Sequence, residues 1–135
     1  MNNGKQRVLF VCIGNSCRSQ MAEGFARKYG EDVMVAASAG VAPAMGVAGD
    51  TIRAMEEKNI DVRAHFPKSV RHMNRLSFDL IVNMSGSEFQ AGVAAPVVRW
   101  DVEDPIGRSF DVYREVRDRI ELLVMQLILE LRRPK

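Results

Sequence analysis

An apolar, β-branched run, "RVLFVCI" (Arg7 to Ile13), leads straight into "GNSCRSQMAEG", which opens a helical pattern. This junction constrains the fold more than any other stretch of the chain. A run that stays apolar at successive positions has both faces buried, and so reads as an interior strand of a parallel sheet. Behind it, Met21, Ala22, Phe25, Ala26 and Tyr29 share one helical face, with Gly30 as the C-terminal cap. The chain must turn from buried strand to helix within a few residues, and Gly14 permits that turn.

The same alternation continues. "VMVAASAG" (Val33 to Gly40) is a second strand and "VAPAMG" a loop. Asp50 to Lys58 is a helix with Ile52 and Met55 inward. "FDLIVNM" (Phe78 to Met84) and "PVVRW" (Pro96 to Trp100) are the third and fourth strands. Asp101 to Ser109 is a loop punctuated by Asp-Pro and Gly. A last helix runs from about Phe110 to Leu131, with Tyr113, Val116, Ile120, Leu123, Leu127 and Leu131 as its apolar stripe. Strand–helix alternation predicts an α/β fold: a four-stranded parallel sheet flanked by helices, doubly wound, with right-handed crossovers. The 135 residues fit one domain, 1–135, with its core over about 7–131. Ligands of such sheets bind at the carboxyl ends of the strands, which is where "GNSCRS" falls.

Composition excludes several function classes. A net charge of +2 carries no basic stripe for nucleic acid. "RAHFPKSVRHMNR" (Arg63 to Arg75) reads as a solvated face, and nothing positional distinguishes His72. No apolar stretch is long enough to span a bilayer and the N-terminus lacks a secretory pattern, so the expected location is the cytoplasm. Two cysteines, Cys12 and Cys17, do not make a disulfide framework, and in a reducing compartment they are free thiols. Their C-x4-C spacing has no second Cys/His pair to complete a zinc site, and no nucleotide P-loop pattern occurs. No metal and no cofactor is expected. A second stripe on the last helix, Leu122, Met125 and Leu129, is either covered by loops or a self-association surface; monomer and weak homodimer both remain open.

The residues from Ile13 to Ser19 carry the chemistry. A loop between strand and helix turns several backbone N–H groups inward, and the helix adds unpaired N–H groups and its positive dipole end. The result is a cradle for a tetrahedral oxyanion built by Ile13, Gly14, Asn15, Ser16, Cys17, Arg18 and Ser19. Arg18 can grip two oxygens together. A thiol at Cys12, at the mouth of this cradle, ionises readily, and the Ser19 hydroxyl can donate to the thiolate. A cradle for an anion also stabilises the extra charge of a transition state.

"VLFVCIGNSCRSQMAEG" resembles the signature of the low-molecular-weight protein tyrosine phosphatases and their arsenate-reductase relatives, over roughly Arg7 to Leu131. The resemblance implies a low-molecular-weight phosphatase-like fold with Cys12 as nucleophile, Arg18 as oxyanion ligand and Ser19 supporting the thiolate. It implies that Asn15 shapes the loop, with Ser38 of "SAG" and His65 of "AH" as its hydrogen-bond partners. Asp104, before Pro105 in "EDPIG", becomes the general acid and base; read alone, Asp-Pro is only a turn former.

The two branches of that family part at the rim of the site. The phosphatase branch follows the acid with aromatic residues, whereas Ile106 and Gly107 stand here, and Gln20 replaces a common proline. Thioredoxin-coupled reductases carry two resolving cysteines after the third strand, whereas "VNMSGSEFQAGVAAP" has none. Hydrolysis needs only a thiolate, a cradle and an acid. The residues therefore favour hydrolysis of a phosphate monoester, with phosphate or a phosphotyrosine protein as partner. Arsenate reduction by an external thiol such as glutathione, mycothiol or a thioredoxin/glutaredoxin system is the alternative. A non-catalytic phosphate or phosphopeptide binder is the minor one. Cys17 is expected to guard Cys12 by forming a reversible disulfide.

Overall fold

The computed structural model describes residues 4–73, 77–88 and 95–134. Its elements follow the order β1 (Gln6–Cys12), α1 (Arg18–Tyr29), β2 (Met34–Gly40), α2 (Gly49–Glu56), a 3-10 turn (Val70–Met73), β3 (Leu80–Asn83), β4 (Val97–Arg99) and α3 (Phe110–Arg132). All pairings are parallel and the strand order is β2-β1-β3-β4. The expected sheet and helices are present. The part of the basic stretch beyond Met73 and the residues 89–94 lie outside the described residues.

β1 is central because its pattern is apolar on both faces. Val8, Phe10 and Cys12 face the larger core, shared with α1, α2 and α3. Leu9 and Val11 face a smaller cluster with Ala39, Val70, Met73, Phe78 and Ile81. Val70 and Met73 thus belong to the core, although Arg71 and His72 between them are exposed as the solvated-face reading requires. Burying a side chain such as Phe25 of α1 completely contributes about 1.5–3 kcal/mol.

In α2, Met55 is buried and Ile52, half-buried, packs against the same core, as expected; Thr51 and Ala54 are buried as well, and the Thr51 hydroxyl donates to the carbonyl of Ser16 at 2.9 Å. Two expectations are corrected. β3 and β4 are shorter than their apolar runs; Phe78 and Trp100 pack beyond the ladder ends. On α3, Val124 and Ile128 join the buried stripe, Leu123 and Leu131 pack half-buried against the core, and of the second stripe Met125 packs half-buried against the core while Leu122 and Leu129 are exposed. Arg117 of α3 is buried and donates to the Ala54 carbonyl and Glu57, anchoring the end of α2.

Two close approaches fix glycines. A Cβ on Gly40 would lie 2.6 Å from the Ile13 carbonyl oxygen and 2.9 Å from the Asn15 nitrogen. The 13–15 backbone therefore lies flat against the end of β2. A Cβ on Gly30 would meet Ile128 at 2.7 Å; its φ of −122° shows that packing, not a left-handed cap, selects glycine there.

Candidate active site

The β1–α1 loop turns its carbonyls outward. Those of Cys12, Ile13, Gly14 and Ser16 accept N–H bonds from Val41, Ala42, Ala44 and Ala48 at 2.9–3.1 Å, so residues 41–48 act as an outer wall. The Asn15 carbonyl accepts from Gln20 Nε2 and that of Cys17 from the Met21 N–H. With the carbonyls occupied, the N–H groups of Gly14 to Arg18 have no acceptor among the described residues. They form the expected anion cradle, at the start of α1.

Asn15 makes this geometry possible. Its φ is +51°, a left-handed conformation that asparagine tolerates better than most residues. Its buried side chain then closes the loop: Oδ1 accepts from the Lys68 N–H at 2.9 Å, so Nδ2 must donate to Ser19 Oγ, at 2.7 Å. Ser19 Oγ lies 2.8 Å from Cys12 Sγ. With Asn15 donating to it, the Ser19 hydroxyl proton is free to point at a thiolate on Cys12 (3% exposed).

Arg18 is buried, and its Nη1 donates to the carbonyls of Met84 at 2.5 Å and Val102 at 3.1 Å. Its Nη2 lies 3.5 Å from Asp104 Oδ2. Asp104 combines both sequence readings: Oδ1 accepts the Ile106 N–H of the turn, while Oδ2 faces Arg18. Cys17 is buried, and that burial pushes its thiol up to about 12, so it holds its proton in this conformation. The aliphatic side chains of Ile13, Met45 and Ile106 are exposed along the flanking loops.

Ser38 and His65 do not touch Asn15 directly, which corrects their expected placement. Ser38 Oγ donates to Glu23 Oε1 at 2.6 Å. His65 Nδ1 lies 2.9 Å from Gln20 Oε1. Gln20 Nε2 donates to the carbonyls of Asn15 and Phe66, which leaves Oε1 as acceptor and fixes the proton of neutral His65 on Nδ1. Burial lowers the His65 pKa below its ordinary 6.5, with Glu23 opposing. Lys68, Gln20 and Glu23 are the supporting residues that the sequence reading missed. Ser16, Ser19, Gln20, Glu23 and Arg27 form a polar stripe at helical spacing beside the apolar face, and that was a readable signal for Gln20 and Glu23. Nothing local announces Lys68, which is 53 residues from Asn15.

With the geometry in place, the comparisons give it a context. The model of a family described as low molecular weight phosphotyrosine protein phosphatase matches residues 7–135. A glutaredoxin arsenate reductase of Synechocystis sp. is 34% identical over 134 residues, covering 93% of this chain and 98% of that protein. An arsenate reductase of Staphylococcus xylosus is 38% identical over 125 residues, covering 89% and 94%. A solved arsenate reductase in its phosphate-binding state superimposes with a TM-score of 0.85 at 33% identity, covering 93% and 98%.

Proposed function

The chain belongs to the low molecular weight phosphotyrosine protein phosphatase family, and from that premise we propose that it reduces arsenate using a thiol supplied from outside the chain. One observation carries the choice: relatives matching it over 93% and 89% of its length are arsenate reductases, one of them named for glutaredoxin. Cytoplasmic residence fits a reaction that consumes a reduced thiol.

Arsenate sits on the N–H groups of the 13–18 loop and the Arg18 guanidinium. The Cys12 thiolate attacks arsenic; an S–As bond forms, an As–O bond breaks, and Asp104 gives the departing oxygen its proton so that it leaves as water. An external thiolate then attacks Cys12 sulfur. The new S–S bond forms as S–As breaks, and the electron pair stays on arsenic, which leaves as arsenite. A second thiol frees Cys12 and carries away a disulfide. The sum is arsenate plus two thiols giving arsenite, one disulfide and water.

Hydrolysis of a phosphate monoester is the second reading, and a specific observation favours it. The sequence holds only Cys12 and Cys17, so no relay cysteine follows β3. Cys12, the cradle and Asp104 suffice for attack on phosphorus, protonation of the leaving oxygen and activation of water against the phosphocysteine. The residues by themselves rank hydrolysis first; the relatives weigh the other way. A paired assay separates the two. It measures arsenite formation with glutathione, mycothiol, glutaredoxin or thioredoxin systems against release of phosphate from a phosphotyrosine peptide. Thiol-dependent arsenite is the expected product, and phosphate release without any arsenite would reverse the order.

A further inference from the structure

We propose that the cavity at the carboxyl ends of β3 and β4 seats the reducing thiol, and that it takes a small zwitterionic thiol peptide of the glutathione class. Its part in turnover rests on the arsenate-reductase reading. The cavity has a volume of about 360 Å³ and is lined by Asn83, Gly86, Arg99, Trp100 and Asp101. That size suits a small organic molecule and is too small for a folded protein.

Its position argues for a role in the reaction. Asn83 pairs in register with Val11, the residue before Cys12, and the Met84 N–H donates to the Val11 carbonyl at 2.7 Å. Asn83 thus ends the strand that lies beside the nucleophile's strand, the two backbones running about 4.8 Å apart. The two carbonyls that hold Arg18 belong to Met84 and Val102, each one residue beyond a lining residue. A molecule in the cavity thus sits against both segments that position the arginine.

Its charges match a zwitterion. Among the described residues Arg99 is the only cation lining the cavity, and Glu88, at 3.5 Å, is the only group that engages its guanidinium, both side chains being well exposed. An exposed pair of this kind is weak and yields readily to a peptide carboxylate. The Asp101 carboxylate has no partner among the described residues and can take an ammonium group. Trp100 is half-buried beside Phe10, with ring centroids 5.8 Å apart, and offers an apolar wall to the aliphatic part of such a peptide. Cys17, buried and protonated, leaves the second sulfur to come from outside.

Trp100 is the sole tryptophan, so its emission reports directly on the cavity. S-methylglutathione, which cannot react, is titrated into wild type, Arg99→Glu and Arg99→Gln. A saturable change in wild type, weakened at least tenfold in both variants, is expected. In turnover, the KM for glutathione should rise about tenfold in Arg99→Glu, while the KM for arsenate and the rate with uncharged 2-mercaptoethanol stay as in wild type. No saturable change in wild type, or an unaltered KM for glutathione in Arg99→Glu, overturns the site. Saturable binding without arsenite from any thiol supports the site and overturns the reductase reading instead.

Discussion

Ser19 Oγ stands 2.8 Å from Cys12 Sγ while accepting the Asn15 amide at 2.7 Å, so the serine's one proton is directed at the nucleophile by a neighbour that cannot turn round. Asn15 cannot turn because Lys68 occupies its carbonyl oxygen. Hydrogen bonds to a charged group contribute about 1.5–3 kcal/mol. Ser19→Ala should therefore slow the first chemical step by roughly 10- to 150-fold, and alkylation of Cys12 by iodoacetamide at neutral pH should slow with it. Alkylation at the wild-type rate would show that the serine does not support the thiolate.

Asp104 is placed to give a proton, and the need for that proton depends on the leaving group. Asp104→Asn keeps the turn to Ile106 and removes the acid. General acids contribute about 10²–10⁴-fold. Turnover of phenyl phosphate should fall within that range, and that of p-nitrophenyl phosphate, whose phenolate leaves unaided, much less. Equal losses on both esters would place Asp104 outside proton transfer.

His65 is held neutral between Gln20 and a set of charges, Glu23, Arg27 and Lys68 around it and Asp61 nearby. Burial depresses its folded pKa, so across the interval below 6.5 the unfolded chain binds more protons than the folded one. The stabilisation is complete above that value and is lost as pH falls through the folded pKa. His65→Asn keeps a donor for Gln20 and does not titrate. Its thermal midpoint should vary less than that of wild type between about pH 5 and 7. Parallel curves would mean that His65 titrates alike in both states.

Cys12 and Arg18 were legible because strand end and helix start are written in contiguous residues. Asp104, which meets Arg18 from far along the chain, was legible only through the family resemblance, its Asp-Pro alone marking a turn. The burial of Thr51 was not legible, because its hydroxyl reaches the Ser16 carbonyl, a contact 35 residues long. The link from His65 to Asn15 was read as direct. It runs through Gln20, a residue fully buried in spite of its polarity because its amide meets two carbonyls and an imidazole. A sequence shows which side chains are polar but not which distant groups will satisfy them.

Cys17 offers the sharpest division between internal and external reduction. Its thiol is pushed up to about 12 by burial, and a protonated thiol is a poor nucleophile. Attack on Cys12 from within would first require the start of α1 to open. External thiols face no such step, so Cys17→Ser should retain thiol-dependent arsenite formation within about threefold, a change of under 1 kcal/mol. Loss of the activity would make Cys17 the resolving thiol. Oxidation is a different case, because a sulfenic acid on Cys12 persists long enough for the helix start to open and a Cys12–Cys17 disulfide to form. Wild type exposed to peroxide should then recover on reduction with dithiothreitol, and Cys17→Ser should not. Equal recovery of the two proteins would exclude the guarding disulfide and leave Cys17 a buried thiol held in place by Thr51 and the core.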